Sequence, residues 1–159
     1  MNPSGRATQM EEHIISLHSK ERWQRREAEL IAWANRPKPK KRAKQTVIFG
    51  NSHIDAELLT TLALCKRMGI PTEYSCAGVS ILDEPEDHSL YAYITFIASE
   101  KTEAFVQFAM NTMRHRLLVT FEPARSRYDV SSFYIQHNRS FCLLMEQCAK
   151  VFLAREQCI

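Results

Sequence analysis

The chain of 159 residues lacks the sequence features that would assign a chemistry at once. Its four glycines form neither a P-loop nor a dinucleotide-binding motif, and no catalytic triad can be recognised. No apolar run approaches the roughly 18 residues that cross a bilayer, and the first residues lack the apolar stretch of a secretory signal. We expect a cytoplasmic protein without a membrane partner; whether it is an enzyme, and whether it uses a cofactor, stays open.

Cysteine usage excludes two further classes of protein. The five cysteines are odd in number, and neither a Cys-x-x-Cys motif nor a histidine pair at metal-binding spacing accompanies them. A disulfide framework and a structural zinc site are therefore disfavoured, and we expect no metal centre. Cys65, Cys142 and Cys148 lie among apolar residues of predicted helices, where free thiols fill cores.

Charge is distributed unevenly along the chain, although its net value is only +3. From Lys20 to Lys44 there are ten Lys and Arg residues against three Glu, whereas from Gln45 onward there are ten against thirteen Asp and Glu. The basic charge is thus concentrated before a mildly acidic body. Part of it forms an arm that two prolines interrupt, with basic residues at Lys38, Lys40, Lys41, Arg42 and Lys44.

The arm predicts contact with RNA or DNA. Its cations are spaced to meet successive phosphates, which gives salt-sensitive affinity without sequence preference. Arg125 and Arg127, in a later loop, extend this track if they share a face with the arm. A plain linker, or a signal for targeting or protein docking, would have the same composition.

Apolar periodicity predicts an α+β fold. The expected elements after the arm are a strand at 46–49, a helix at 52–68, strands at 70–76 and 90–97, a helix that Ser99 caps, strands at 117–122 and 132–137, and a helix at 140–157. Two helix–strand–strand units then form a mostly antiparallel sheet covered by helices.

The N-terminal residues predict a separate element. Residues 8–35 have helical composition, with apolar residues grouped at the two ends of the segment. We therefore divide the chain into a helical extension at 1–35, a basic linker at 36–45 and an α+β domain at 46–159. A helix with exposed apolar ends packs on its own body or on another copy, so we expect a homo-oligomer.

The segment Thr72-Glu-Tyr-Ser-Cys-Ala-Gly78 predicts a ligand site. A turn of small residues allows backbone N–H groups and a thiol to approach a nucleotide-like ligand closely, and Gly78 can take a positive φ. The same turn could simply connect two strands. The predicted ligand-binding residues are Ser75, Cys76, Gly78, Asp55 and His88.

These residues also carry a family resemblance. Ile54-Asp55, an amphipathic helix, the Thr-x-x-Ser-Cys-x-Gly turn and the strand after it resemble the opening motif of the tRNA wybutosine-synthesising methyltransferase family over about 45 residues. The turn is similar as well to one in small bacterial and phage proteins. In the methyltransferase family it helps to form the S-adenosylmethionine and tRNA site, which implies that role for Ser75, Cys76 and Gly78.

Three functions follow as expectations. The first is a nucleic-acid-associated or nucleotide-binding protein, whose arm contacts phosphates while the turn lines a ligand site. The second is an S-adenosylmethionine-dependent tRNA methyltransferase-like enzyme, and the third is a regulatory protein-interaction module of bacterial or phage origin.

An acidic loop at 83–88 could hold Mg²⁺ or Ca²⁺. It lacks the alternating ligands and the central glycine of an EF-hand, so we interpret it as a solvated loop.

Overall fold

The fold consists of short strands and four helices in the described part of the chain. A computed structural model describes residues 11–37, 45–80 and 88–158, together with the backbone of 41–42 and 84–85. The strands are β1 His13–Ile14, β2 Lys41–Arg42, β3 Thr46–Phe49, β4 Ser52–Asp55, β5 Thr72–Cys76, β6 Glu84–Pro85, β7 Tyr93–Ile97, β8 Leu117–Glu122 and β9 Arg127–Ser132. The helices are α1 Lys20–Asn35, α2 Leu59–Arg67, α3 Glu100–Met113 and α4 Asn138–Gln157.

The main sheet is antiparallel and has five strands in the order β1-β8-β9-β7-β5. The first helix–strand–strand unit supplies β5 and β7, and the second supplies β8 and β9. Their second strands, β7 and β9, pair at the centre, with Ile94 opposite Val130 and Phe96 opposite Tyr128. The predicted α+β class and its antiparallel sheet are confirmed.

The core lies between one face of this sheet and the helices α2, α3 and α4. Ile94, Val130 and Val119 occupy paired positions on β7, β9 and β8, and all three are fully buried. Phe105 of α3 and Met145 of α4 belong to the same cluster and are also fully buried. None of the helices in the described residues is both long and apolar enough to cross a bilayer.

The predicted helix at 52–68 begins later than expected. Phe49 pairs with Ser52 across a turn at Gly50 and Asn51, so β3 and β4 form a hairpin outside the main sheet. Gly50 has a φ of 61°, which suits the tight turn of a two-residue hairpin. The helix starts only after a 3₁₀ turn at Ala56–Leu58, and Ser52 is a strand residue rather than a cap.

The N-terminal segment also differs from the prediction. Residues 11–19 are not helical: Ile14 pairs with Thr120, which adds β1 to the edge of the sheet. Helix α1 starts at Lys20 because the Ser19 hydroxyl accepts a hydrogen bond from the Arg22 N–H at 3.3 Å.

The second unit ends earlier than predicted. The strand expected at 132–137 lies instead at Arg127–Ser132, and Ile135–His137 is a 3₁₀ turn. The apolar run at 133–135 is therefore buried in a turn rather than in a strand. Arg127 is a strand residue, so the loop between β8 and β9 is shorter than expected.

Helix α1 is fixed to the body by polar contacts beside a small apolar cluster. The Glu29 carboxylate accepts hydrogen bonds from the backbone N–H groups of Ile135 at 2.6 Å and Gln136 at 3.1 Å. The Arg26 guanidinium donates to the Phe133 carbonyl and lies 3.9 Å from the centre of the Tyr91 ring. Trp33 packs with Val79 and Ile135 in a cluster separate from the main core.

The basic arm and the acidic loop meet within one chain. Strand β2 pairs in parallel with β6, which places Lys41 opposite Glu84 and Arg42 opposite Pro85. The side chains of the predicted basic residues Lys38, Lys40, Lys41, Arg42 and Lys44 lie outside the described residues, as do those of the loop at 81–87.

The Asn138 side chain is a polar junction inside the fold. Its Oδ1 accepts hydrogen bonds from the Ala92 N–H at 2.9 Å and the Ser132 hydroxyl at 2.6 Å. Its Nδ2 donates to the carbonyls of Val79 and Leu90, each at 2.7 Å. The residue is 1% exposed, so one buried amide joins α4 to the end of β9 and to two loops.

We predict that Asn138→Asp destabilises the protein by about 4 kcal/mol, because it replaces a donor to two buried carbonyls with a charged acceptor of nearly the same size. Urea unfolding followed by circular dichroism measures this loss. Asn111→Ala, an exposed amide on α3, is the control and should change stability by less than about 0.5 kcal/mol. Equal stability of the Asp variant and the unmodified protein would show that the hydrogen bonds of the Asn138 side chain do not stabilise the fold.

Candidate functional site

The predicted Ser-Cys-x-Gly turn is an internal junction. Cys76 is buried, and its sulfur accepts hydrogen bonds from the backbone N–H groups of Gly78 at 3.5 Å and Ser89 at 3.4 Å. A bulge between Thr72 and Tyr74 shifts the alternation of β5, so that Cys76 lies opposite Tyr93 rather than opposite Ile94 of the helix-covered face. The Cys76 thiol is thus buried in the fold, with two backbone N–H groups as hydrogen-bond donors.

The space beside Gly78 is filled by protein. Gly78 has a φ of 75°, as expected, but a Cβ atom there would lie 2.5 Å from Asn138 Nδ2 and 2.6 Å from the Ala92 nitrogen. The Asp55 carboxylate closes the other side of the turn by accepting the Ala77 N–H at 2.6 Å. The Asn138 side chain therefore occupies the space that the missing Cβ leaves at Gly78.

The remaining predicted ligand-binding residues are Ser75 and His88. Ser75 lines a cleft of about 470 Å³ between the β3–β4 hairpin and β5, whose other residues include Phe49, Lys66 and Tyr74. His88 is partly buried at the boundary of the described residues. Asp83, Glu86 and Asp87 of the acidic loop lie outside the described residues.

The later basic residues that the sequence singled out are engaged in ion pairs. Arg125 lies 3.0 Å from the Glu122 carboxylate, and Arg127 forms an ion pair with Glu73. The hydrogen bond from Arg127 lowers the pKa of Glu73, which keeps that pair charged. A predicted role for Arg125 and Arg127 in phosphate binding therefore requires that their carboxylate partners be displaced.

A different set of cations meets where α1 faces the end of α3. We call this the arginine cleft; it has a volume of about 420 Å³ and is lined by Ser19, Glu21, Arg22, Arg25, His115, Arg116, Tyr134 and His137. Arg25 lies over the Tyr134 ring, with its guanidinium carbon 4.9 Å from the ring centre. Arg116 donates to the Ser140 hydroxyl at 3.2 Å. Three segments distant in sequence thus supply the cleft.

The arginine cleft carries charge that is not offset by ion pairs. Among the described residues, neither Arg22, Arg25 nor Arg116 forms an ion pair with a carboxylate. Their effect is visible at two histidines. Burial lowers the pKa of His115 and of His137, and the charges of Arg22 and Arg116 lower it further at His115, as those of Arg116 and Arg25 do at His137.

A second cleft of about 640 Å³ adjoins the first at Arg22 and His115, which line both. We call it the amide cleft; its lining residues are Ile15, Ser16, Leu17, Arg22, Gln107, Met110, Asn111, Arg114 and His115. Arg114 has a φ of 50°, a conformation that costs a side-chain-bearing residue roughly 1–3 kcal/mol. This bend leads from α3 into the run Arg114–Arg116, which supplies residues to both clefts.

The sequence contains a local signal for this site. Arg22 and Arg25 are three residues apart, which places them on the same side of α1. The arginines of the Arg-His-Arg run at 114–116 also suit a helix C-terminus as favourable charge, a local role that says nothing about what the turn faces. Only the packing of α1 beside that turn brings the two groups together.

Comparison with known proteins adds no further constraint, since no protein-family model, curated protein or solved structure matches the chain. The resemblance to the wybutosine-synthesising methyltransferases stays a prediction. The Asn138 side chain fills the space beside Gly78, where that resemblance implies part of a ligand site.

We predict that Gly78→Ala destabilises the protein by about 2–3 kcal/mol more than Gly69→Ala does. Both glycines have a φ of 75°, but an added Cβ meets no atom within 4 Å at Gly69 and overlaps Asn138 and Ala92 at Gly78. Both variants carry the same backbone strain of about 1–2 kcal/mol. The difference between their free energies of unfolding therefore measures only the steric overlap at Gly78. Equal unfolding midpoints for the two variants would show that the Gly78 turn has room for a side chain.

We also predict that the ligand-free protein loses stability as the pH falls from 7.5 to 5.5. The pKa of His18, His115 and His137 is lowered in the folded state, first by burial and then by nearby arginines. The unfolded chain therefore binds more protons than the folded one once the pH falls below about 6.5, and protonation favours unfolding.

Thermal unfolding across this pH range measures the slope of this loss. His137→Asn should flatten the slope, whereas Asn111→Ala, at an exposed position on α3, should leave it unchanged. A stability that is flat between these pH values, or the same slope in all three proteins, would contradict the lowered pKa of these histidines in the folded state.

Proposed function

We propose that the protein binds nucleic acid through the phosphate backbone, and that the arginine cleft is the principal contact. The observation that carries this proposal is the grouping of Arg22, Arg25 and Arg116 without carboxylate ion-pair partners among the described residues. Guanidinium groups bind phosphate oxygens with paired hydrogen bonds and stay charged at all physiological pH values.

An anionic ligand also removes the repulsion that the cleft contains. A phosphate between the arginines would offset their charges and would raise the pKa of His115 and His137 from its lowered position. Each bound phosphate releases counterions from the nucleic acid, which adds affinity at low salt. The basic arm of the sequence would add contacts of the same kind along the strand.

The test is a titration of labelled single-stranded RNA and DNA, followed by fluorescence anisotropy over a series of salt concentrations. The variant Arg22→Gln with Arg25→Gln removes two cations from α1, and we expect binding about tenfold weaker or more at low salt. The slope of log affinity against log salt should fall by about 0.7 for each phosphate contact that is lost from a single strand.

The matched control is Arg125→Gln with Arg127→Gln, which removes the same charge from residues already paired with Glu122 and Glu73. We expect this control to bind nearly as the unmodified protein does. Equal losses in both double variants would show only a general charge effect and would reject the arginine cleft. Absence of binding by the unmodified protein at low salt would reject the function itself.

A further inference from the structure

The amide cleft has the chemistry of a nucleobase site beside the arginine cleft. Two side-chain amides, Gln107 and Asn111, lie on the same face of α3 four residues apart. The Gln107 Nε2 donates to Asn111 Oδ1 at 3.2 Å. Among the described residues no hydrogen bond engages the Gln107 Oε1 or the Asn111 Nδ2. One acceptor and one donor therefore stand side by side, as a base edge requires.

The cleft also presents apolar surface that its surroundings do not cover. Leu17 is 92% exposed and Ile15 is 39% exposed, although both lie beside charged and amide groups. Met110 contributes a flexible apolar side chain to the same surface. A base has two apolar faces and a polar edge, so this mixture suits it better than it suits an ion or a sugar.

Arginine supplies the connection between the two clefts. Arg22 and His115 line both, and Arg114 lines the amide cleft. A guanidinium plane can stack on a base while its N–H groups contact phosphate oxygens. The cleft volume of about 640 Å³ falls in the range of roughly 300–1,000 Å³ typical of small-ligand sites.

From this arrangement we propose that the amide cleft binds the base of an unpaired nucleotide whose phosphate lies in the arginine cleft. The inference rests on the proposed function, and it names the ligand more narrowly as single-stranded nucleic acid. In a duplex the base faces are stacked on their neighbours and are closed to Leu17 and Ile15.

The experiment compares three probes of equal length and equal charge per strand. These are a single-stranded oligonucleotide, an oligonucleotide of the same backbone without bases, and a duplex, each as RNA and as DNA where the chemistry permits. We expect the unmodified protein to bind the single strand with bases at least tenfold more tightly than the abasic strand. The duplex should bind no better than the abasic strand at matched phosphate concentration.

Two variants test the residues that produce this difference. Leu17→Ser removes the apolar rim, and Asn111→Ala removes the amide donor; each should weaken binding of the strand with bases about threefold to tenfold while leaving the abasic strand unchanged. Leu143→Ser and Gln147→Ala replace an exposed leucine and an exposed amide on α4 and are the matched controls. We expect both controls to behave as the unmodified protein does.

The outcomes separate this inference from the function on which it rests. Equal affinity for strands with and without bases, unaffected by Leu17→Ser and Asn111→Ala, would overturn the base site and leave phosphate binding intact. No binding of any probe would reject both. If Leu17→Ser lowers the oligomeric mass in light scattering without altering nucleotide affinity, the apolar rim belongs to a contact between copies and the inference is wrong.

Discussion

The hydrogen bonds of the buried Asn138 side chain are the constraint on which the rest of this fold depends. One amide uses both lone pairs of its oxygen and both N–H groups of its nitrogen, so four segments must meet at one point. All four hydrogen bonds of the Asn138 side chain form only when every partner is in place. The side chain therefore adds little net free energy to folding, but it allows only one arrangement of these segments. It requires glycine at position 78, and it fixes the start of α4 directly after His137, which lines the arginine cleft.

Arginine side chains have different partners in two regions of the structure. Around β9 and the start of α4, Arg125, Arg127 and Arg139 each have a glutamate partner. Where α1 meets the turn after α3, Arg22, Arg25 and Arg116 line one cleft with two histidines and Glu21, and no ion pair joins these arginines to a carboxylate among the described residues. A charge count along the chain cannot separate these cases, because the pair between Glu73 and Arg127 joins residues 54 positions apart. The charge count therefore did not reveal that Arg125 and Arg127 are each paired with a glutamate.

Much of the fold could be predicted because local signals agree with the tertiary structure. Ser99 caps α3, Gly69 follows the end of α2 with a positive φ, and Leu117–Glu122 is a strand as its pattern indicates. Errors arose where two local signals competed. Ser52 suits a helix cap, yet Gly50 and Asn51 between alternating residues also specify a hairpin, and pairing of β3 with β4 prevailed. Similarly, the apolar residues at 133–135 indicate a strand, but contacts with α1 bury them in a turn.

The candidate site was less predictable because no single segment contains it. Arg22 and Arg25 come from α1, Arg114 to Arg116 from the turn after α3, and His137 from the residue before α4. Their assembly requires Glu29 to hold α1 against the backbone at Ile135, a contact between residues 106 positions apart that periodicity does not reveal. The same contact ties the position of the arginines to the start of α4. The clefts combine guanidinium groups that have no ion pair with a carboxylate in the described part of the chain, histidines with a lowered pKa and a strained Arg114, each unfavourable to stability. These features coincide at one pair of clefts, whereas Arg125, Arg127 and Arg139 are offset by glutamates. A bound anion would therefore give the arrangement a physical purpose that folding alone does not.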